Sequence, residues 1–375
     1  MNILIAPDSF KECLPAAEVA KALARGWRAA RPDDTVCELP IADGGEGFVA
    51  AMLAATGGTG HTARVSGPLG APVAAAFGVS GDGRTAFVEM AAASGLALVP
   101  PAQRDVLRAT TRGTGELLLA AARIPGVQQV VLGIGGSATN DGGAGFAAAL
   151  GWRFLDADGE ALPPGGAPLA HLAQVVAPPV PPTLPALLVA CDVKNPLCGP
   201  NGASHIYGPQ KGATPAQATQ LDAALQHYAE LVEGMIGRAL RDSPGAGAAG
   251  GLGFGLLAFA NAKLRRGLDV VSEISGLETR IASCDLILTG EGRADAQSLM
   301  GKVIGGLCAL AKRHGKPVAV IAGDLGPGHE ALHAAGVVHL EQLGPAGASE
   351  AERKAYAPQY LAEAAASVAG RYPLP

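Results

Sequence analysis

Residues 130–145, VVLGIGGSATNDGGAG, decide how the rest of the chain is read. The apolar run 130–134 reads as a buried strand, and it enters a loop punctuated by Gly133, Gly135, Gly136, Gly142, Gly143 and Gly145. Ser137, Thr139, Asn140 and Asp141 stand between the two glycine clusters, and FAAAL after Gly145 reads as the first turns of a helix. Strand, glycine loop and helix start make an anion cradle, because backbone amides and the helix dipole can face a phosphate. Hydroxyls add donors to it, while Asp141 can cap the helix or hold a metal ion. A turn whose glycines only relieve backbone strain is the plainer account. Six glycines and four short polar side chains in sixteen residues exceed what a turn requires, so the loop is read as functional.

Around that loop, a chain of 375 residues exceeds the commonest single domain, and two domains are expected, one inserted in the other. A hydrophobic content of 49% supplies substantial cores, and the glycines and prolines fall mainly between apolar runs, as in an α/β protein with short loops. Aromatic residues make up 4%, too few for the stacking platforms of single-strand nucleic-acid binders. A net charge of −5 without a basic block argues against a nucleic-acid footprint and leaves room for small anionic substrates. The six cysteines show neither CxxC nor zinc spacing, and the opening MNILIAPDSFKE reaches charge at once, unlike a secretory signal. The most apolar window, 246–262, is glycine-rich and falls short of a membrane span. Together these features predict a cytoplasmic protein with reduced, buried cysteines that binds neither membrane nor nucleic acid.

The design of strand followed by polar cargo recurs along the chain. Residues 2–6 form a strand pattern followed by Asp8, Ser9 and Lys11, at the carboxyl end where open α/β sheets bind ligands. Residues 16–30 have helical spacing, and a second strand, 36–41, leads to Asp43 in a glycine turn. From Thr62 the texture changes to short β pieces resembling hairpins, so a domain change is placed near 61–64. Residues 110–116 read as the cap of a helix over 117–122, and residues 152–162 as a hairpin turned at 156–159. The strand 186–191 delivers Asp192 into a long polar loop that includes Lys211. Residues 214–240 are helical, and the second glycine loop, 245–255, suits phosphate contact and tight backbone packing equally. The strand 285–289 delivers Glu291, Arg293 and Asp295, the strand 317–322 delivers Asp324, and 337–340 is the last strand.

A parallel sheet brings such loops to one edge. Several acids beside lysines and an arginine suit Mg²⁺-assisted phosphoryl transfer: the metal needs hard oxygen ligands, the phosphoryl group positive donors, and the acceptor hydroxyl a base. The chain has no GxxxxGK[ST], HRD or DFG motif, which excludes the P-loop and protein-kinase types.

The same loops carry a family pattern. IAPDSFKE (5–12), PIADGGEG (40–47), EMAAASGLAL (89–98), GTGEL (113–117) and LGIGGSATNDGGAG (132–145) are followed by ACDVKNPLCGPNGAS (190–204), YGPQKGAT (207–214), GAAGGLGFG (247–255) and LTGEGRADAQSLMGK (288–302). With these blocks in this order, the chain resembles the type I glycerate kinases along essentially its whole length. The resemblance implies ATP-dependent phosphorylation of D-glycerate, with 2-phosphoglycerate as product. It also implies an α/β fold: a Rossmann-like parallel-sheet domain built from both chain ends, residues 1–62 and 284–375, with a second α/β domain, residues 63–283, inserted and carrying the Gly-rich loop. The stretch 341–350, EQLGPAGASE, follows the family pattern only loosely.

Loop placement then suggests roles. Gly135, Gly136, Ser137, Thr139, Asn140 and Gly142 are assigned to the phosphates of ATP. Asp192 or Asp43 is the base for the glycerate hydroxyl and the other helps position Mg²⁺, so both are candidate metal ligands. Lys11, Lys211 and Arg293 are candidates for the substrate carboxylate and the developing phosphoryl charge; Glu291 and Asp295 orient them, and Asp8 and Ser9 belong with the substrate. The expected partners are small molecules, and the sequence leaves monomer and homodimer open. Two rival readings stand beside this one. An NAD(P)-dependent hydroxy-acid dehydrogenase fits Gly133, Gly135 and Ala138 as GxGxxG/A, with Asp156 or Asp158 about twenty residues on as a ribose ligand. A non-catalytic sensor of a hydroxy acid or nucleotide would need a pocket but no converging acids.

Overall fold

The apolar runs between the glycine loops become strands in a computed structural model that describes residues 1–10, 13–42, 44–299 and 303–372. They are β1 (Asn2–Ile5), β2 (Thr35–Glu38), β3 (Thr59–Ser66), β4 (Pro72–Val79), β5 (Thr85–Glu89), β6 (Gln129–Gly133) and β7 (Arg153–Leu155). Then come β8 (Gln174–Val176), β9 (Ala186–Ala190), β10 (Lys263–Arg265), β11 (Leu286–Ala294), β12 (Val318–Leu325) and β13 (Val337–Gln342). The chain divides into two compact units. The terminal unit comprises Met1–Asp43, Ala50–Gly57 and Leu268–Pro375; the inner unit comprises Gly44–Val49 and Gly58–Gly267.

In the terminal unit the sheet order is β13-β12-β11-β1-β2, every pair parallel. Such strands are covered on both faces, which is why they read as unbroken apolar runs; Ile3, Leu4 and Ile5 are all buried. The helix Ala16–Ala30 buries Val19, Ala20, Leu23, Ala24 and Trp27 along one stripe. It crosses the helix Ala357–Arg371 at Gly26, where a Cβ would stand 1.9 Å from the Ala362 carbonyl oxygen. The buried Trp27 indole donates to Asp34 at 3.1 Å.

In the inner unit the order is β10-β9-β6-β5-β4-β3. The pairs from β10 to β5 are parallel, and β4 and β3 extend the sheet antiparallel, as the hairpin texture after Thr62 predicts. Glu89, Gly133, Ala190 and Arg265, the last residues of β5, β6, β9 and β10, stand in register, so their loops leave one edge together. The α/β class is as expected, with parallel pairing dominant. The helix Pro215–Ile236 has its reciprocal cap from Thr214 and Gln217 and ends on Gly237 at φ 67°.

Three elements differ from the expected ones. The helix expected over 117–122 begins five residues earlier, at Arg112. Gly113 and Gly115 lie inside it because a Cβ would stand 1.8 Å from the Ser66 carbonyl oxygen and 2.7 Å from that of Phe146, so these glycines allow contact rather than break the helix. β11 runs on to Ala294, which puts Glu291 and Arg293 on the strand itself, opposite Ala322 and Asp324. The turn at 156–159 is present, but β7 takes β8 as its strand partner. All six cysteines are free thiols; Cys284 and Cys308 are buried, the other four only partly. Among the described residues no helix is long and apolar enough to cross a membrane.

Candidate active site

The inner unit's loop is built by glycines meeting glycines. A Cβ on Gly133 would lie 2.4 Å from the Gly44 carbonyl oxygen, and one on Gly135 2.7 Å from the Gly45 Cα. The Gly135 amide donates to the Gly44 carbonyl at 3.2 Å, so residues 44–45 and 133–135 interlock backbone to backbone. From the other side, a Cβ on Gly250 would stand 1.9 Å from the Thr139 carbonyl oxygen, and Gly142 donates to the Gly250 carbonyl at 3.0 Å. The second glycine loop is therefore a packing partner of the first.

Asp141 occupies the start of the helix Ala144–Ala149. Its carboxylate, wholly buried, accepts from the Thr111 amide (2.8 Å), the Thr111 hydroxyl (2.9 Å), the Gly143 amide (3.1 Å) and the Gly145 amide (3.2 Å). The Ala144 amide donates to the Asp141 carbonyl, and that of Phe146 to the Thr111 hydroxyl. The helix-start amides expected to face a phosphate thus face Asp141, which acts as cap. Burial raises its pKa, against the pull of those donors. Thr111 is the partner that sequence reading missed; its only signal was the polar run 110–116 ahead of a helix.

What remains open to an anion is the other half of the loop. Gly136 is exposed and Gly135 partly so, with Ser137, Thr139 and Asn140 buried behind them. Beneath lies Lys211, 1% exposed, whose Nζ donates to the Ser137 hydroxyl at 2.7 Å and the Thr139 carbonyl at 2.8 Å. Burial brings its pKa down to about 7, with the Asp141 charge pulling the other way. Asn140 donates to the Ser204 hydroxyl at 2.8 Å, and among the described residues its buried Oδ1 has no partner. On the loop after β9, Asp192 accepts from the Gly267 amide at 3.0 Å.

In the terminal unit, bonds from Ala6 N to Leu288, Asp8 N to Gly290 and the Thr289 hydroxyl to Ala6 strap the loop after β1 to β11. Phe10 then lies over Gly290 and Gly323, close enough that a Cβ at either would touch its ring. A cavity of about 360 Å³ opens there, with Asp8, Ser9, Glu291, Arg293 and Asp324 in its wall. Glu291 accepts a close hydrogen bond from Ser298. Arg293 is 58% exposed and stands 3.6 Å from Asp295, which lies outside the wall and accepts from Gln297 N. Arg353 and Lys354, unremarked in the sequence, come into the wall from the short helix Glu350–Ala355. Lys11 and Asp43 lie outside the described residues.

Loops gathered at the carboxyl edge of parallel sheets, with a buried lysine in one unit and an acid-lined cavity in the other, are the furniture of an α/β small-molecule enzyme. The chain belongs to the glycerate kinase family, whose model matches residues 3–372. It is 50% identical over 339 residues to the glycerate 2-kinase of Escherichia coli, covering 90% of this chain and 89% of that one. Identity to the glycerate kinase of Bacillus subtilis is 46% over 371 residues, 98% of this chain and 97% of the relative. A crystal structure from Salmonella typhimurium LT2 described as a glycerate kinase 2 superposes with a TM-score of 0.85 at 46% identity, over 98% of this chain and 97% of that one. The protein is thus an enzyme of glycerate phosphorylation, which overturns the dehydrogenase and sensor readings. Of the two acids offered as ribose ligands, Asp156 has its Oδ1 tied to the amides of Asp158 and Glu160 in the turn after β7.

Proposed function

We propose that the enzyme transfers the γ-phosphoryl group of ATP to the 2-hydroxyl of D-glycerate, giving 2-phosphoglycerate and ADP in the cytoplasm. The observation that carries the nucleotide half is Lys211, a buried cation beneath the exposed corner at Gly135 and Gly136. An anion at that corner supplies the counter-charge that burial denies the lysine. Ser137 adds a hydroxyl there, while Thr139, Asn140 and Gly142 hold the corner in shape from behind. Asp192 or Asp43 takes the proton of the attacking hydroxyl.

Among the described residues no group of three or more His, Cys, Asp or Glu side chains forms a metal cage. Mg²⁺ in kinases is held by one or two carboxylates together with the nucleotide's phosphates; Asp192 or Asp43 would supply such a carboxylate. When bound, the ion neutralises charge on the phosphates. The hydroxy acid is proposed to occupy the terminal unit's cavity, its non-attacking hydroxyl donating to Asp8 or Glu291 near Ser9. Arg293, oriented by Asp295 and mostly exposed, draws the acid toward the cavity, and Lys11 serves the same charge.

Incubation with ATP, Mg²⁺ and D-glycerate should release ADP, and phosphorus NMR of the product should show coupling to the single proton on C2. Coupling to two protons would assign the 3-phosphate, and absence of ADP release would overturn the reading. Asp192→Asn should lower kcat by about 10²–10⁴-fold, the usual range for a lost general base; near-wild-type turnover removes Asp192 from that role.

A further inference from the structure

We infer that Arg353 selects the carboxylate of the hydroxy acid, making it the specificity-determining cation of the terminal unit's cavity. This rests on the proposal that the cavity takes that acid. Among the described residues three cations line the cavity, and they differ in exposure: Arg293 is 58% exposed and Lys354 41%, whereas Arg353 is 17% exposed. A charge shielded from water holds an anion more firmly than one screened by it.

The Arg353 side chain is also held in place. Its Nη1 donates to the Ala348 carbonyl at 2.5 Å, and its Nη2 stands 3.7 Å from Asp324 Oδ1, an ion pair beyond hydrogen-bond reach. That same Oδ1 already accepts from Gln342 Nε2 at 2.9 Å. A guanidinium has five N–H donors in a planar fork that matches the two oxygens of a carboxylate. Pinned at one nitrogen and only loosely paired at another, it offers that fork to an entering acid.

The rest of the wall supplies the complement. Of the four described acids in the wall, Asp8, Glu291, Asp324 and Glu350, Asp324 already shares its charge with Arg353 and Gln342, while Asp8 and Glu291, acceptor-only when ionised, suit hydroxyl donors and repel a carboxylate placed beside them. A molecule with a carboxylate at one end and hydroxyls at the other is therefore oriented by the cavity. A volume of about 360 Å³ is at the low end of ligand pockets, which run from about 300 to 1,000 Å³, and favours a small acid.

The test is Arg353→Ala and Arg353→Lys, assayed with D-glycerate and with its neutral amide, glyceramide. Arg353→Ala should raise KM for D-glycerate about 10–100-fold, as for loss of a charge-assisted pair, with kcat and KM for ATP within about threefold. Glyceramide should be little affected, so discrimination between acid and amide collapses, and Arg353→Lys should restore part of it. Unchanged KM for D-glycerate, or equal losses on acid, amide and ATP, would overturn the inference. If the alanine variant fails to fold, the lysine variant decides: keeping charge without the fork, it should weaken the acid and spare the amide. Calorimetric binding of D-glycerate separates this from the functional reading. A wild-type chain that binds D-glycerate through Arg353 yet releases no ADP sinks the kinase chemistry alone; an active wild type indifferent to Arg353 sinks this inference alone.

Discussion

Lys211 lies beneath a glycine loop and Arg293 in a cavity wall, and they are 1% and 58% exposed. The inner unit takes Lys211 out of water and surrounds it with a hydroxyl and a carbonyl; the terminal unit leaves Arg293 mostly in contact with solvent. A desolvated lysine interacts several times more strongly with an anion than a solvated one does, because the effective dielectric is lower. It also costs stability until the anion arrives. On the proposed reading the inner loop captures its anion at one buried cation, and in the cavity the exposed Arg293 leaves that part to the better shielded Arg353.

The sharpest way to break this contrast is Lys211→Met. Activity with saturating D-glycerate should fall by about 10²–10³-fold, the scale for losing one buried electrostatic donor. Stability should fall by only about 1–3 kcal/mol, from the Thr139 carbonyl left without its donor. Steady-state kinetics and urea unfolding on the same preparation check both numbers. A variant that keeps its activity would make Lys211 a structural lysine and leave the inner loop without its anion site.

Packing around the loop comes next. Gly250→Ala sets a Cβ 1.9 Å from the Thr139 carbonyl oxygen at a φ of 70° and should cost about 2–4 kcal/mol. Gly237→Ala, at a similar φ of 67° but with nothing within 4 Å, should cost about 1 kcal/mol or less. Equal thermal shifts in the two would mean that backbone strain alone matters and that the glycine blocks do not interlock.

These two glycines also mark how far the sequence could be read. Strand runs such as 2–6 and 186–191 were legible because parallel strands need unbroken apolar residues, and the helix 16–30 because one stripe of it is buried. The meaning of a glycine was not legible. Gly113 and Gly115 read as part of the cap 110–116 and lie inside a helix, and the loop 245–255 reads as fit for phosphate as for packing. What settles each is a carbonyl oxygen from a distant segment, which no local pattern encodes. Asp141 shows the same limit, since its partner Thr111 is thirty residues away. Arg353 was missed because its surroundings after Leu340 carry no motif; only the cavity singles it out.

Acidity gives a smaller and more specific signal. The folded-state pKa of Lys211, about 7, lies below its ordinary 10.5, so between those values the unfolded chain binds the extra proton. Stability should therefore rise with pH across that window, by at most about 1.4 kcal/mol per unit from this group. Below about pH 7 the lysine is charged in both states and the burial penalty is fully present. Urea midpoints from pH 6.5 to 9.5 should climb for the wild type, and Lys211→Met should remove that contribution. Identical profiles would show that the lysine is not desolvated and that the two units treat charge alike.

The smallest effect should be that of Arg293→Ala. An exposed cation 3.6 Å from Asp295 contributes on the order of 1 kcal/mol or less, so KM for D-glycerate should rise by less than about fivefold with kcat unchanged. The rise should shrink further as salt is increased from about 0.05 to about 0.5 M, since the screening length falls to a few ångströms there. The Arg353→Ala effect should persist at high salt, because its guanidinium is shielded by the cavity wall. A large, salt-independent loss of kcat in Arg293→Ala would mean that this arginine is desolvated in the working enzyme and touches the transferring phosphoryl group. Exposure in the free enzyme would then be a poor guide to which cation matters, and Arg293 would join Lys211 on the strong side of the comparison.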